Sequence, residues 1–203
     1  MGSYEHFRHL GITMSKKYDV IYADPPWKYG SRGARGGKFG DLDYPQMSIK
    51  DLCDLDVISI SSDISHLYMW ATSPFLMESQ VVANAWGFDQ YIRVEKVWNK
   101  KKESGKPHGV CGPHGMTDTE FLLLFCRGGK TTSLYNNKKR NQYTATDEVY
   151  TGKHSEKPAI FRGMIEQKFI TGLNKLEMFS RGEFEGWDVF GNQCEGSIKI
   201  KSK

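Results

Sequence analysis

The sequence predicts a single α/β domain, and three observations carry that prediction. Short apolar runs of strand length alternate along the chain with longer stretches of helical periodicity. Most of the runs are apolar without alternation, as expected of strands covered on both faces of a sheet. A length of 203 residues with 38% hydrophobic content suffices for one substantial core and falls short of the size at which chains usually divide. Residues 1–13 read as a leader of uncertain origin, since a second methionine, Met14, precedes the first clear element; residues 14–203 read as one domain.

The elements follow in order. Tyr18 to Ala23 is an apolar run closed by a polar break and predicts a buried strand. Ser48, with Asp51 three residues on, begins a short helix over Ile49 to Leu55 through a capping-box pattern. His66 to Ala71 is the second buried strand. Pro74 then opens a helix whose apolar face comprises Phe75, Leu76, Val81, Val82 and Trp86, stopped by Gly87. Tyr91 to Trp98, Phe121 to Cys126 and Lys175 to Phe179 supply three further strands. A last helix, Lys157 to Phe169, carries Ile160, Phe161, Met164 and Ile165 on one face, with Pro158 at its start and Gly172 beyond its end. Gly30 to Asp43 and Lys100 to Thr117 remain unassigned, and polar stretches of that length in a compact domain usually carry function.

Bulk properties exclude several classes. No apolar run reaches the roughly 20 residues of a membrane span, and no secretory apolar core follows the N-terminus, so a cytoplasmic protein with no membrane contact is expected. Cys53, Cys111, Cys126 and Cys194 form no CxxC pair, which argues against a disulfide framework or a four-cysteine zinc site. The excess of 28 Lys and Arg over 24 acidic residues permits a polyanionic partner without requiring one.

The chemistry concentrates directly after the first strand, in Asp24-Pro25-Pro26-Trp27. In an open α/β sheet that position is the carboxyl end of a strand, where ligands bind. An amino group conjugated to an aromatic base is a poor nucleophile, and acceptors aimed at its hydrogens stabilise the charge that develops as it attacks. Asp24 and a proline carbonyl are expected to be those acceptors, because prolines have fixed φ and no amide hydrogen and would present stiff, unpaired carbonyls. Trp27 offers a face on which an extruded base can stack. The competing reading is an ordinary turn that ends a strand, with the tryptophan in the core.

The motif and its companions resemble the β-class adenine amino-methyltransferases, and within them the group that includes the catalytic subunit of the eukaryotic mRNA adenosine methyltransferase. The likeness runs from Tyr18 to Gln193. It comprises Tyr44-Pro45-Gln46-Met47-Ser48, Leu67 to Thr72, Trp86-Gly87-Phe88, Ser155 to Pro158, Met164-Ile165-Glu166, Lys175 to Arg181 and Gly191-Asn192-Gln193, in the family's order. The resemblance implies a Rossmann-like class I methyltransferase fold with the permuted, β-class motif order, in which the catalytic motif precedes the cofactor-binding strand.

It also implies S-adenosylmethionine as methyl donor. Asp24 would touch both the donor and the target amine. Lys157 would lie near the donor's methionine part, and Glu177, Arg181, Asn192 and Gln193 would contact its adenosine. Such side chains suit hydroxyl and carboxylate groups. Where the mRNA enzyme has His and Asn after its Arg, this chain has Glu183 and Phe184, of which Glu183 can still accept from a hydroxyl. No counterpart of the family's upstream adenine-contacting Asp stands near His6 to Thr13.

For the substrate, the likeness places Gly30 to Gly40 in the loop that closes over the target base, where Arg32, Arg35 and Lys38 can grip phosphate and Tyr44 matches an acceptor-loop tyrosine. A nucleotide P-loop is excluded there, because Phe39 follows Gly37-Lys38 where Ser or Thr is needed. His108, Cys111 and His114 are spaced for a metal but lack an evident fourth ligand, and no metal is expected. Lys96, Lys100, Lys101, Lys102 and Lys106 form a basic run, and Lys138, Lys139 and Arg140 with Tyr135 and Tyr143 form another; both suit a solvated face or phosphate contact. The expected reaction is methylation of adenine in DNA, because the chain lacks the extra domains of the RNA-modifying relatives. The rivals are the same reaction on RNA, alone or with a partner subunit, and a methyltransferase-like module that binds without catalysis. A homodimer is compatible with either.

Overall fold

A computed structural model describes residues 16–29, 45–112, 114–137, 144–149 and 157–203. Arg32, Arg35, Lys38, Tyr44, the leader, and the Lys138, Lys139, Arg140 and Tyr143 patch lie outside the described residues.

The core is a seven-stranded sheet. In chain order its strands are β1 (Tyr18–Ala23), β2 (Ser61–Thr72) and β3 (Gln90–Lys101), then β6 (Thr119–Arg127), β7 (Ala145–Val149), β8 (Lys175–Met178) and β9 (Asp188–Phe190). A separate two-stranded ribbon is formed by β4 (Val110–Gly112) and β5 (Gly115–Thr117). The helices are α1 (Ile49–Cys53), α2 (Leu76–Ala85) and α3 (Ile160–Lys168). Across the sheet the order is β7-β3-β6-β2-β1-β8-β9.

β1 pairs in parallel with β2 on one side and β8 on the other, and β8 pairs in parallel with β9. β6 is antiparallel to both β2 and β3, so it alone runs against the rest of the sheet. The chain moves from β1 toward β2 and only later returns to lay β8 on the other flank. That reversal makes a topological switch at β1, and the crevice beyond the carboxyl ends of β1 and β8 is where such a sheet binds ligands. This is the Rossmann-like arrangement, with the Asp24 motif preceding β8.

Both sheet faces are covered, which is why the strands read as continuous apolar runs. Ile21, Ala23, Leu67, Met69 and Ala71 pack with Val82, Ala83 and Trp86 of the α2 region. Val20, Tyr22, Tyr68 and Trp70 pack on the opposite side against Phe161 and Ile165 of α3.

Local chemistry fixes the helix starts. The Ser48 hydroxyl accepts from the Asp51 amide at 3.1 Å, and the Asp51 carboxylate accepts from the Ser48 amide at 3.1 Å, completing the capping box. Pro74 lies in a 3-10 turn, Ser73–Phe75, that leads into α2. Gly87, at φ 84°, ends that segment, and a Cβ there would meet Ile58 at 2.9 Å.

Several expectations change. Val81 is 54% exposed beside Met77 at 80%, so the apolar face of α2 is narrower than its sequence implies. α3 begins at Ile160 instead of Lys157, leaving Lys157 and Pro158 in the approach to the helix. Strand β3 runs on to Lys101, and the stretch beyond it folds as the β4–β5 ribbon. Lys96 is 3% exposed, not on a solvated face, and Lys100 is paired with Glu120. Among the described residues no helix is long and apolar enough to cross a membrane, and no cluster of His, Cys, Asp and Glu has a metal-holding arrangement.

Candidate active site

The crevice at the switch point is a cavity of about 340 Å3. Its wall is made by residues that follow strand ends: Asp24 to Trp27 after β1, Phe179 and Arg181 after β8, and Gly191, Asn192 and Gln193 after β9. Trp70, Ala71 and Thr72 at the end of β2 complete that side, with Lys157 entering from the approach to α3. Glu120 joins them for a topological reason. Because β6 is antiparallel, its first residues lie at the edge where the parallel strands end, and Glu120 pairs with Thr72.

An alternating ion cluster occupies the inner wall. The Lys157 ammonium lies 2.6 Å from Asp24 Oδ2 and 3.2 Å from Glu120 Oε2, and 5.5 Å above the Trp70 ring. The Lys100 ammonium lies 2.5 Å from the other Glu120 oxygen and over Trp98. The Lys157 and Glu120 side chains are only 9% and 10% exposed, whereas the Asp24 carboxylate keeps 30% of its surface toward the opening.

Burial pulls Lys157 downward, but Asp24 and Glu120 outweigh it and hold the ammonium above its usual range. Burial alone would lift Glu120, yet Lys157 and Lys100 together keep it below the ordinary glutamate value. Asp24 moves the other way: burial and the neighbouring Glu120 charge raise it despite the pull of Lys157. A carboxyl with raised proton affinity facing an open cavity is a functional signature when a specific charge partner accompanies it.

The backbone around Asp24 is firmly held. The Trp27 amide donates to the Pro25 carbonyl at 2.8 Å and the Met47 amide to the Pro26 carbonyl at 2.8 Å, so the proline carbonyls are not the unpaired acceptors expected from sequence. The second bond arises because Trp27 and Met47 form a parallel bridge, with the Lys28 amide donating back to the Met47 carbonyl. Each carbonyl retains one lone pair. Trp27 is 5% exposed, donates from its indole nitrogen to the Trp70 carbonyl at 3.1 Å, and stacks on Phe75 at 5.1 Å. One ring face is therefore engaged internally, and Trp27 is among the residues that line the cavity.

On the opposite wall Phe179 has φ 63°, a left-handed conformation that costs a bulky residue on the order of 1–3 kcal/mol. Its ring packs on Phe190 at 5.7 Å. Gly191 lies so close to the β8 terminus that a Cβ would fall 2.0 Å from the Ser180 carbonyl oxygen, and the loops after β8 and β9 meet only because a glycine stands there.

Of the residues expected at the site, Asp24, Pro25, Pro26, Trp27, Lys157, Arg181, Asn192 and Gln193 converge on this cavity. Glu177 and Glu183 do not line it. Glu177 is turned toward α3, where Arg162 donates to it at 2.6 Å. Glu183 accepts from the Gly196 amide at 2.7 Å and borders a different hollow beside Trp187. Glu120 and Tyr29, absent from the sequence-based set, both line the cavity, and the Tyr29 hydroxyl lies 2.7 Å from that of Thr72.

A switch-point crevice whose Asp24 motif follows β1 and is reached before the β8 and β9 loops in sequence is the arrangement of a Rossmann-like methyltransferase of permuted order. Comparison with known proteins agrees: the MT-A70 family model matches residues 18–193, the span of the motif likeness, and the chain belongs to the MT-A70 family. It is 35% identical to the type II methyltransferase M.MunI of a Mycoplasma species, over 93% of this chain and 83% of that protein. It is 25% identical to the human N(6)-adenosine-methyltransferase catalytic subunit METTL3, again over 93% of this chain but only 30% of that protein. The Drosophila MT-A70-like N(6)-adenosine-methyltransferase is 26% identical over 29% of its length.

Proposed function

We propose that the protein transfers a methyl group from S-adenosylmethionine to the exocyclic amino group of adenine in DNA. The observation that carries the reading is the Asp24 carboxylate, held by Lys157 at 2.6 Å and partly open to a 340 Å3 cavity. The higher identity, over most of its length, to a type II methyltransferase supports DNA as the polymer; the likeness to adenosine methyltransferases at 25% supports RNA less strongly.

The cavity wall fits the donor. Phe179 and Phe190 offer apolar surface, the Arg181 guanidinium and the Asn192 and Gln193 amides suit the adenosine's hydroxyls, and the Lys157 cation suits a carboxylate. The Gly191 approach leaves room where a side chain would intrude. When bound, S-adenosylmethionine supplies a methyl group on a positively charged sulfur, a leaving group already activated. Asp24 accepts a hydrogen bond from the incoming amine and draws electron density toward its nitrogen. Its raised proton affinity suits it to hold the proton released as the amine becomes alkylated. The remaining lone pair of the Pro26 or Pro25 carbonyl takes the amine's second hydrogen in this reading. Trp27, fixed by its bond to Trp70, walls the space for the base, and Tyr29 flanks it at the rim. Arg32, Arg35, Lys38 and Tyr44 are assigned to gripping the nucleic acid.

The test is methyl transfer from labelled S-adenosylmethionine to unmethylated DNA and to RNA in parallel, with nucleoside analysis. Methylated adenine in DNA is expected, and Asp24→Asn is expected to lose roughly 100- to 1,000-fold in turnover while still folding. Transfer only to RNA would overturn the choice of polymer, and Asp24→Asn at the wild-type rate would overturn the mechanism.

A further inference from the structure

The segment between β3 and β6 leaves the sheet at the wall of the cavity. Lys100, one residue before β3 ends, is paired with Glu120, and its amide donates to the Asp118 carbonyl at 2.8 Å. Between these roots lie two consecutive turns. Lys102 to Lys106 closes on itself through the Lys102 amide and the Lys106 carbonyl at 2.8 Å, with Gly105 at φ 77°. The β4–β5 ribbon follows, paired at Cys111 and Met116 and outside the main sheet.

Residues 102–107 and 114–117 are exposed, Met116 to 65%. The charge is one-sided, with Lys101, Lys102 and Lys106 against Glu103.

Resting on the reading above that the substrate is DNA, we infer that residues 101–112 and 114–117 form the element that reads the duplex, with the β4–β5 ribbon entering the major groove and Lys102 and Lys106 on flanking phosphates. The dimensions agree. A strand of three residues extends about 10 Å, and the B-DNA major groove is about 12 Å wide and 8.5 Å deep and admits a two-stranded ribbon. The root at Glu120 places such a ribbon beside the pocket that would receive the target adenine. An RNA helix offers no comparable groove, because its major groove is deep and narrow. A protein partner is disfavoured, because lysine is depleted at protein interfaces. Met116 and His114, at the exposed end, are the side chains set to meet base edges, and Lys102 and Lys106 set the register without reading sequence.

The experiment uses the full chain with two variants, Lys102→Ala/Lys106→Ala and His114→Ala/Met116→Ala. Both are measured for S-adenosylmethionine binding, for methylation of a short single-stranded adenine oligonucleotide, and for methylation and binding of duplex DNA across a salt series. The lysine variant is expected to weaken duplex binding at all sequences and to reduce the log–log salt slope by about 2, at roughly 0.9 per phosphate contact. The His114/Met116 variant is expected to lose roughly 5- to 150-fold in discrimination at one base pair. Both should leave cofactor binding and single-strand turnover unchanged.

Unchanged duplex affinity and site preference in both variants would overturn the inference. So would equal loss on single and double strands, which would place the effect in the pocket, or loss of self-association instead of duplex affinity, which would make the ribbon a protein interface. A wild-type protein that methylates adenine in no DNA at all would instead remove the substrate reading beneath it.

Discussion

Replacing Lys157 with methionine keeps the unbranched stem out to Cε and removes the ammonium shared by Asp24 and Glu120. At contacts of 2.6 and 3.2 Å and an effective dielectric of about 20, the gross attractions are roughly 6 and 5 kcal/mol. Burying the ammonium takes back several kcal/mol, so the net loss on breaking the cluster is about 3–5 kcal/mol. The lower end applies, because Lys100 still neutralises Glu120 and Asp24 is partly solvated. The sign with pH follows from the carboxyl groups. In the wild type, Glu120 is held below its ordinary value, so its contribution is present at neutral pH and fades as pH falls through that lowered range. In Lys157→Met, burial dominates and the carboxyls take up protons more readily, so the deficit is greatest near pH 8 and shrinks toward pH 5. Urea denaturation from pH 5 to 8 measures this, and the double variant Lys157→Met/Glu120→Gln should recover part of the loss because the pair is coupled. A single variant with the wild-type midpoint throughout, or a deficit that grows on acidification, would refute the cluster as a stabilising unit.

His66 is fully buried between Tyr135 and Phe169, neither ring nitrogen has a hydrogen-bond partner among the described residues, and burial depresses it to about 4 from 6.5. The unfolded chain binds this proton first, so stability should fall as pH drops from about 6.5 to 4, by up to about 3 kcal/mol; His66→Leu should flatten that part of a melting-temperature profile. Gly191→Ala should weaken S-adenosylmethionine binding in calorimetry by tenfold or more, because its methyl would fall 2.0 Å from the Ser180 carbonyl oxygen and force apart the loops that form one wall; unaltered affinity would remove those loops from the binding site. Phe179→Gly should relieve the left-handed strain at φ 63° but lose the packing on Phe190, giving a net loss of roughly 1–3 kcal/mol by denaturant titration.

The parts of this architecture visible in the sequence are those whose physics is local. Strands buried on both faces announce themselves as apolar runs, and the Ser48–Asp51 cap is a three-residue pattern. The order of motifs sufficed to unite Asp24, Lys157, Arg181, Asn192 and Gln193 across 170 positions of sequence. β9 escaped because three residues carry no periodicity, and β7 because only Ala145 and Val149 are apolar among its five. Glu120 escaped for a subtler reason. The apolar run begins at Phe121, nothing local singles out the charge before it, and only the antiparallel direction of β6 turns that end into the cavity wall. The Pro25 carbonyl is taken by a local turn from Trp27, but the pairing of the Pro26 carbonyl depends on Met47, twenty-one residues beyond it, and no local pattern reveals that bond. The side-chain directions of Glu177 and Glu183 were not legible either, since they depend on bonds with Arg162 and the Gly196 amide.

The bridge between Trp27 and Met47 has a further consequence. It brings the two ends of residues 30–44 together at the cavity rim, where Tyr29 and Pro45 both stand. One half of that bridge belongs to the Asp24-Pro25-Pro26-Trp27 motif itself. Lengthening such a connection is inexpensive, since doubling a closed loop costs only about 0.6 kcal/mol in chain entropy. A change of length between Tyr29 and Pro45 would therefore leave the sheet and the Asp24 carboxylate where they are.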